Sequence, residues 1–428
     1  MIHFTPSPIV AAILHPLLDM YERRVHTAPD AQTAAAETPE KGLRALRVHL
    51  NLADFPLYYN QADPTPRASA NEQLQTLAQS RYVSLAWLNG EQGHLLASVT
   101  LEPAEADSIF KLLRRTPLAA KRGRLSELLQ SEKFRYVGWR LRALQHTLAQ
   151  LRDEKSPAPF GLSDDPFNQD LLITLAALDE LHVETPQRVF SVRIFNDSKR
   201  FEDLASALAT LARRHAPEWQ ELTNAEVLRE LNLVANPSHI YLHGAWQLVD
   251  ADGLSVSLAG LSPSVGIAAA QAARTQQVSV NAPQVIAVEY PTSFYGLIRT
   301  MKDPAHITQA GTSQSLAAIC LMGNPSPACR HLLSRLPPGV PLLVWADIDY
   351  GGLNILAQIR EQVNAKAIAY RMDIETLEAH ATFARPLTPS DIKNLGHLTR
   401  RPSLTDMRPL IAHLLACGLK LEQEALRL

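Results

Sequence analysis

Leu342-Leu343-Val344-Trp345-Ala346-Asp347-Ile348-Asp349-Tyr350-Gly351-Gly352 is the stretch on which the reading of this chain turns. An apolar run without a polar break is the pattern of a strand covered on both faces, as in a parallel sheet. Open α/β sheets present their ligands at the carboxyl ends of such strands, and this run ends in Asp347 and Asp349. Residues two apart on an extended chain point to the same side, so both carboxylates would face one point. Upstream, Val285-Ile286-Ala287-Val288-Glu289 is another apolar run closed by an acid. Glu289 would emerge at the same sheet edge. Three clustered carboxylates repel one another unless a hard cation lies between them, and Mg²⁺ suits oxygen ligands of this kind. An isolated Asp-x-Asp is also what a turn or a solvated strand end contains, so the order of elements must separate the readings.

Phosphatases built on Asp-x-Asp carry it after their first strand, with the first Asp as nucleophile. Here the strand ending in Glu289 comes first and another strand intervenes. That order resembles the Toprim fold, which has a Glu after its first strand and Asp-x-Asp after its third. More narrowly, Val288-Glu289-Tyr290-Pro291-Thr292-Ser293-Phe294, Ala346-Asp347-Ile348-Asp349-Tyr350-Gly351-Gly352-Leu353-Asn354-Ile355-Leu356 and Leu419-Lys420-Leu421-Glu422-Gln423-Glu424-Ala425 resemble the nuclease subunit (JetD) of Wadjet-type anti-plasmid defence systems, a family related to the cleaving subunit of topoisomerase VI. The resemblance is strong over 280–428, fair over 186–280 and thin before that. It departs from the family at Tyr290, where Asn is frequent.

The resemblance implies an α/β C-terminal Toprim domain, with a mostly parallel doubly wound sheet, over 280–428. Before it would come an N-terminal helical arm (1–66), an α+β winged-helix-like region with a basic segment (67–180) and a connecting region (181–279). It implies a metal-dependent DNA endonuclease in which Glu289, Asp347 and Asp349 hold Mg²⁺ or Mn²⁺, with Glu289 as ligand or general acid/base. It also implies partners: double-stranded plasmid DNA, a second copy in a homodimer, and an SMC-like ATPase with its kleisin and accessory subunits. Two alternatives stay open. One is a topoisomerase VI-like cleaver using Tyr58 or Tyr59, the only paired tyrosines. They lack the basic and acidic residues that precede the topoisomerase nucleophile, which favours packing aromatics and water as attacker. The other is a non-catalytic DNA-binding scaffold.

Composition sets the outer bounds. At 428 residues the chain has room for two or three domains, and 46% hydrophobic with 20% charged residues is ordinary for a globular protein. No apolar run approaches the roughly 18 residues of a membrane span, and Met1-Ile2-His3-Phe4-Thr5-Pro6 lacks a signal peptide's basic start. Cys320, Cys329 and Cys417 are too scattered for a zinc site or a disulfide frame, which fits a cytoplasmic protein. The net charge of −2 means that any DNA-binding surface must be local.

Along the chain, Ile9, Ile13, Leu17 and Tyr21 predict an amphipathic helix over 8–23, kinked or split by Pro16. Residues 26–41 read as a linker. A helix over 69–80 and strands at 82–88 and 95–101 around Asn89-Gly90-Glu91-Gln92-Gly93 give the winged-helix order. Residues 111–142 hold ten basic residues against two acidic ones. This predicts a phosphate-tracking surface including Arg114, Arg115, Lys121, Arg122 and Arg124, unless acids elsewhere balance it. Residues 153–170 read as a connection and 171–181 as a helix. Val189–Phe195 predicts a strand, and Asp197-Ser198-Lys199 a helix cap, where Lys199 could reach a phosphate. His239 and His243 have zinc-like spacing but sit on a strand pattern without a third ligand. Asp373 is expected to cap a helix or to join the acids, and a last helix ends at Gly418.

Overall fold

The computed structural model describes residues 4–27, 45–300 and 316–426. The chain divides into two compact units, Met1–Gln169 and Asp170–Leu428.

In the first unit, α1 (Pro8–Thr27) is one continuous helix, not split at Pro16. Pro16 sits on its exposed face, while Ile13, Leu14, Leu17 and Leu18 are buried. Water can therefore satisfy the carbonyl that loses its bond there. Most of the expected linker at 26–41 lies outside the described residues. β1 (Arg47–His49), α2 (Thr65–Gln79), β2 (Val83–Trp87) and β3 (Leu96–Leu101) follow, and the strands form an antiparallel sheet in the order β1-β3-β2. The helix-then-hairpin order expected over 68–100 is present. One core joins α1, α2 and this sheet with α3 (Ala106–Leu112), so the arm and the helix–hairpin region belong together. α4 (Leu118–Glu132) and α5 (Gly138–Arg152) form a helical hairpin, and α6 (Asp165–Ala177) straddles the boundary between the units.

Tyr58 is fully buried in the first core. Its hydroxyl donates to Asn71 Oδ1 at 2.8 Å and accepts from the Leu96 amide at 2.9 Å. Tyr59 donates to the Leu50 carbonyl at 3.0 Å. Both are structural aromatics, as their sequence surroundings suggested. Tyr58→Phe should leave two buried polar groups unmatched and lower stability by about 1–3 kcal/mol in denaturant unfolding; an unchanged midpoint would show that water replaces the hydroxyl.

The second unit opens with β4 (Thr185–Pro186), α7 (Gln187–Phe195), α8 (Arg200–His215), α9 (Asn224–Glu230) and β5 (Leu233–Val234). The strand expected at Val189–Phe195 is α7, a helix. Phe190 packs edge-on against Phe201 of α8, and the buried Ser191 hydroxyl bonds the Asp197 carbonyl and the Phe201 amide. Tertiary packing overrides the β-branched propensity here. The expected cap is not formed: Lys199 occupies the N-cap position of α8 without a side-chain cap hydrogen bond, and Asp197 accepts from the Lys199 amide in the turn before the helix.

Next come β6 (His239–His243), β7 (Trp246–Asp250), β8 (Ser255–Ser257), β9 (Val265–Ala268), α10 (Ala269–Arg274), β10 (Thr275–Val280), β11 (Val285–Val288), α11 (Pro291–Thr300) and β12 (Ala317–Cys320). They are followed by α12 (Pro327–Ser334), β13 (Leu342–Trp345), α13 (Tyr350–Gln362), β14 (Ile368–Ala369), α14 (Ile374–Ala379), β15 (Arg385–Pro386), α15 (Pro389–Leu398), α16 (Arg408–Cys417) and β16 (Leu419–Lys420). The main sheet has the order β14-β13-β11-β12-β6-β9. Its first four strands run parallel, whereas β6 is antiparallel to both β12 and β9. The sheet is thus mixed, and 239–268 supplies two of its strands from before the expected start at 280. β11, β12 and β13 are buried at every position, which explains their unbroken apolar runs.

Candidate functional site

β11 and β13 are neighbours in parallel register, Val288 opposite Trp345. The ladder continues past the strands, with the Glu289 amide donating to the Trp345 carbonyl at 3.0 Å. Glu289 Oε2 then accepts the Asp347 amide at 3.0 Å. Both acids are buried, with 4% and 9% of their surfaces exposed. The backbone stays extended at Asp349 (φ −152°, ψ −170°), whose side chain caps α13 by accepting from the Gly352 amide at 2.9 Å. The three acids singled out from sequence therefore come to one sheet edge.

Gly352 is required by contact. A Cβ there would lie 2.0 Å from the Asp347 carbonyl oxygen and 2.7 Å from its nitrogen. Backbone cannot yield as a flexible side chain can, so Gly352→Ala should cost about 3 kcal/mol, seen as a lowered unfolding midpoint. A midpoint like that of the parent would mean that α13 can slide.

The segment after α16 completes the site. Ile348 and Leu421 form an antiparallel bridge. Gln423, only 1% exposed, donates its amide to Asp347 Oδ1 at 2.6 Å and its Nε2 to the Trp345 carbonyl at 2.8 Å, while its Oε1 accepts from the Tyr290 amide at 3.4 Å. Sequence reasoning quoted this segment but gave Gln423 no role. The available signal was a polar, uncapped Glu-Gln-Glu run directly after alternating apolar residues.

Electrostatics are dominated by burial. Burial first, and then the Glu289 charge, push Asp347 up to about 8. Burial first, and then the Asp349 charge, push Glu289 up to about 7, against the Asp347 amide and the Tyr290 hydroxyl, which favour its ionised form. Burial raises Asp349 too, opposed by the Gly352 amide and the Lys420 charge. Lys420 is already paired with Asp391 at 2.9 Å. The exposed Glu424 adds further negative charge near Glu289 and Asp347. Tyr290, the departure noted from sequence, has its hydroxyl pKa raised chiefly by the Glu289 charge.

The donor chemistry fits Mg²⁺ or Mn²⁺: hard carboxylate oxygens brought to one sheet edge. The side chains are not preassembled for it. Each of the three acids gives one oxygen to a backbone amide, and among the described residues no three His, Cys, Asp or Glu groups stand together as a metal-holding set. Loading a cation requires their remaining oxygens to turn toward one point.

Other flagged residues lie elsewhere. Asp373 caps α14 through the Thr376 amide at 2.7 Å. His239 and His243 sit on β6, with His243 Nδ1 at 2.5 Å from the Pro263 carbonyl. Lys199 is exposed. In the first unit Arg115 is held by Asp19 at 2.6 Å and Glu22 at 2.5 Å, so acids do balance that part of the basic stretch. Lys121 bonds Ser163, Arg122 donates to the Glu154 carbonyl and Arg124 lies 3.8 Å from Asp165. Arg114 adopts a left-handed backbone at φ 50° beside Arg115.

Fold and site together define an α/β protein with an acidic cluster at the carboxyl edge of a mixed sheet. Residues 248–428 match the family model of the C-terminal part of Wadjet protein JetD. Over 422 residues, 97% of each chain, the sequence is 21% identical to Wadjet protein JetD of Bacillus cereus (strain Q1). The two matches support a JetD family member, with the family model covering its C-terminal part.

The raised carboxyl groups predict a pH dependence. An acid with an elevated folded pKa binds protons that the unfolded chain has released, so folding draws its largest benefit from that acid below about pH 4. This benefit is lost as pH rises through about 7 to 8. Asp347→Asn should therefore melt above the parent, by a margin that widens from pH 5 to pH 8 in chelator. Millimolar Mn²⁺ should shrink or reverse the margin. Parallel melting curves across this range would refute the raised acids.

Proposed function

We propose that this chain is the DNA-cleaving subunit of a Wadjet-type defence complex, a metal-dependent endonuclease acting on plasmid DNA. The observation that carries the reading is the pair of buried carboxylates, Glu289 and Asp347, held against each other at the sheet edge with Asp349 beside them and, among the described residues, with no ion pair to either of the two. Such a cluster is costly unless protonated or bound to a cation. Mg²⁺ or Mn²⁺ held by Glu289, Asp347 and Asp349 would neutralise the scissile phosphate and the leaving oxygen.

The chain's own residues supply the rest. Glu289, with a pKa pushed up to about 7, can take a proton from an attacking water and return it near neutral pH. The Tyr290 hydroxyl favours the ionised form of that carboxylate. Gln423 holds Asp347 by its amide, leaving the second oxygen for a ligand. Water rather than tyrosine is the attacker, because the Tyr58 and Tyr59 hydroxyls are engaged inside the first unit. Arg114, Lys121, Arg122, Arg124 and Lys199 supply sequence-independent phosphate contacts. The partners are a second copy of the chain and an SMC-like ATPase with kleisin and accessory subunits. The site of action is the cytoplasm; among the described residues no helix is long and apolar enough to cross a membrane.

The test is conversion of supercoiled plasmid to nicked or linear product by the full chain with its partner subunits and Mg²⁺ or Mn²⁺. The parent and Tyr58→Phe/Tyr59→Phe should cleave without leaving a covalent protein–DNA adduct, whereas Asp347→Ala should fall at least about a hundredfold. Equal cleavage by Asp347→Ala removes the site. Absence of cleavage in every preparation leaves a DNA-binding scaffold.

A further inference from the structure

The α4–α5 hairpin carries a surface that the acidic site does not use. Two adjoining hollows of about 460 and 490 Å³ lie along it and share Lys133, Leu148 and Arg152. Their floor is apolar, with Leu141, Leu148 and Leu151, and no acidic residue lines either one. At the turn between the helices Phe134 is 84% exposed and Val137 71%. Lys133 stacks over the Phe134 ring at 4.9 Å, and among the described residues neither it nor Arg152 has a carboxylate partner. Arg122 at the other end keeps a buried Nε without an acceptor, but its charge is answered by the Glu154 carboxylate at 3.8 Å. Elsewhere in the basic stretch charge is answered, as at Arg115 by Asp19 and Glu22 and at Arg135 by Glu132.

We infer that this groove is the docking site of an acidic amphipathic helix from a partner protein. An exposed aromatic beside an apolar cleft is the usual anchor of a protein interface. A helix laid between two others would bury its apolar face on Leu141, Leu148 and Phe134, the recognised helix-in-groove mode. At the rim its acids would meet Lys133 and Arg152, which have no carboxylate partner among the described residues. A duplex fits less well: it is too wide to enter hollows of this volume, so its phosphates would leave the apolar floor in water.

The inference is independent of cleavage, and Asp347→Ala should behave as the parent in its test. The full-length chain carrying Phe134→p-benzoylphenylalanine is irradiated in its native cells, and the cross-linked peptide is identified by mass spectrometry. The expected product is one net-negative segment with apolar residues at helical spacing. A synthetic peptide of that segment should bind the purified chain, and Lys133→Glu/Arg152→Glu should weaken binding by about tenfold or more. Exchanging two acids of the peptide for lysine should restore binding to that variant. Cross-linking to DNA, to a second copy of this chain or to nothing overturns the inference, as does a captured segment whose binding ignores the charge reversal.

Discussion

A single backbone amide organises the second unit: the N–H of Asp347, donated to the Glu289 carboxylate. It extends the β11–β13 ladder beyond its last regular pair and fixes where both strands deliver their acids. The sheet beneath it is apolar at every position of these strands, so the acids stand on a floor that excludes water. Burial penalises the ionised forms, and mutual repulsion adds to the penalty. The amides of Asp347, Gln423 and Gly352 each take up one carboxylate oxygen and offset part of it. The remainder is a site strained toward protons or a cation, which is the form a metal-loading enzyme would take.

What could be read from the sequence follows from what is local. The runs Val285–Val288 and Leu342–Trp345 are strands because their pattern reflects burial on both faces, and Gly418 ends α16 with a left-handed φ of 68°. Val189–Phe195 was misleading because β-branched residues only prefer strands. Half-exposed Val189 and Val192 sit on the outer face of α7, and Phe190 decides the outcome by packing on Phe201. Strand direction was also hidden: nothing in the run around Ile240 reveals that β6 opposes β12. The role of Gln423 depends on contacts with Asp347, Trp345 and Tyr290, and long-range pairing leaves no trace in local periodicity.

The basic stretch gives the same lesson in charge. Its excess of arginine and lysine is visible at once, but the acids that neutralise Arg115 come from α1, almost a hundred positions earlier in the chain. Only the fold separates charges already spent from those without an ion pair among the described residues, such as Lys133 and Arg152. An apolar floor between the open ones is a property of two helices together and of neither alone.

Asp347 meets one partner 58 positions before it and another 76 positions after it. Contacts so distant close late, after the intervening loops have given up their entropy. A partly folded or nicked chain therefore has scattered carboxylates with ordinary acidity and no reason to collect an ion. On the proposed reading, cleavage would be switched on only by a finished molecule, and complete folding would itself be a safeguard for the cell that makes it.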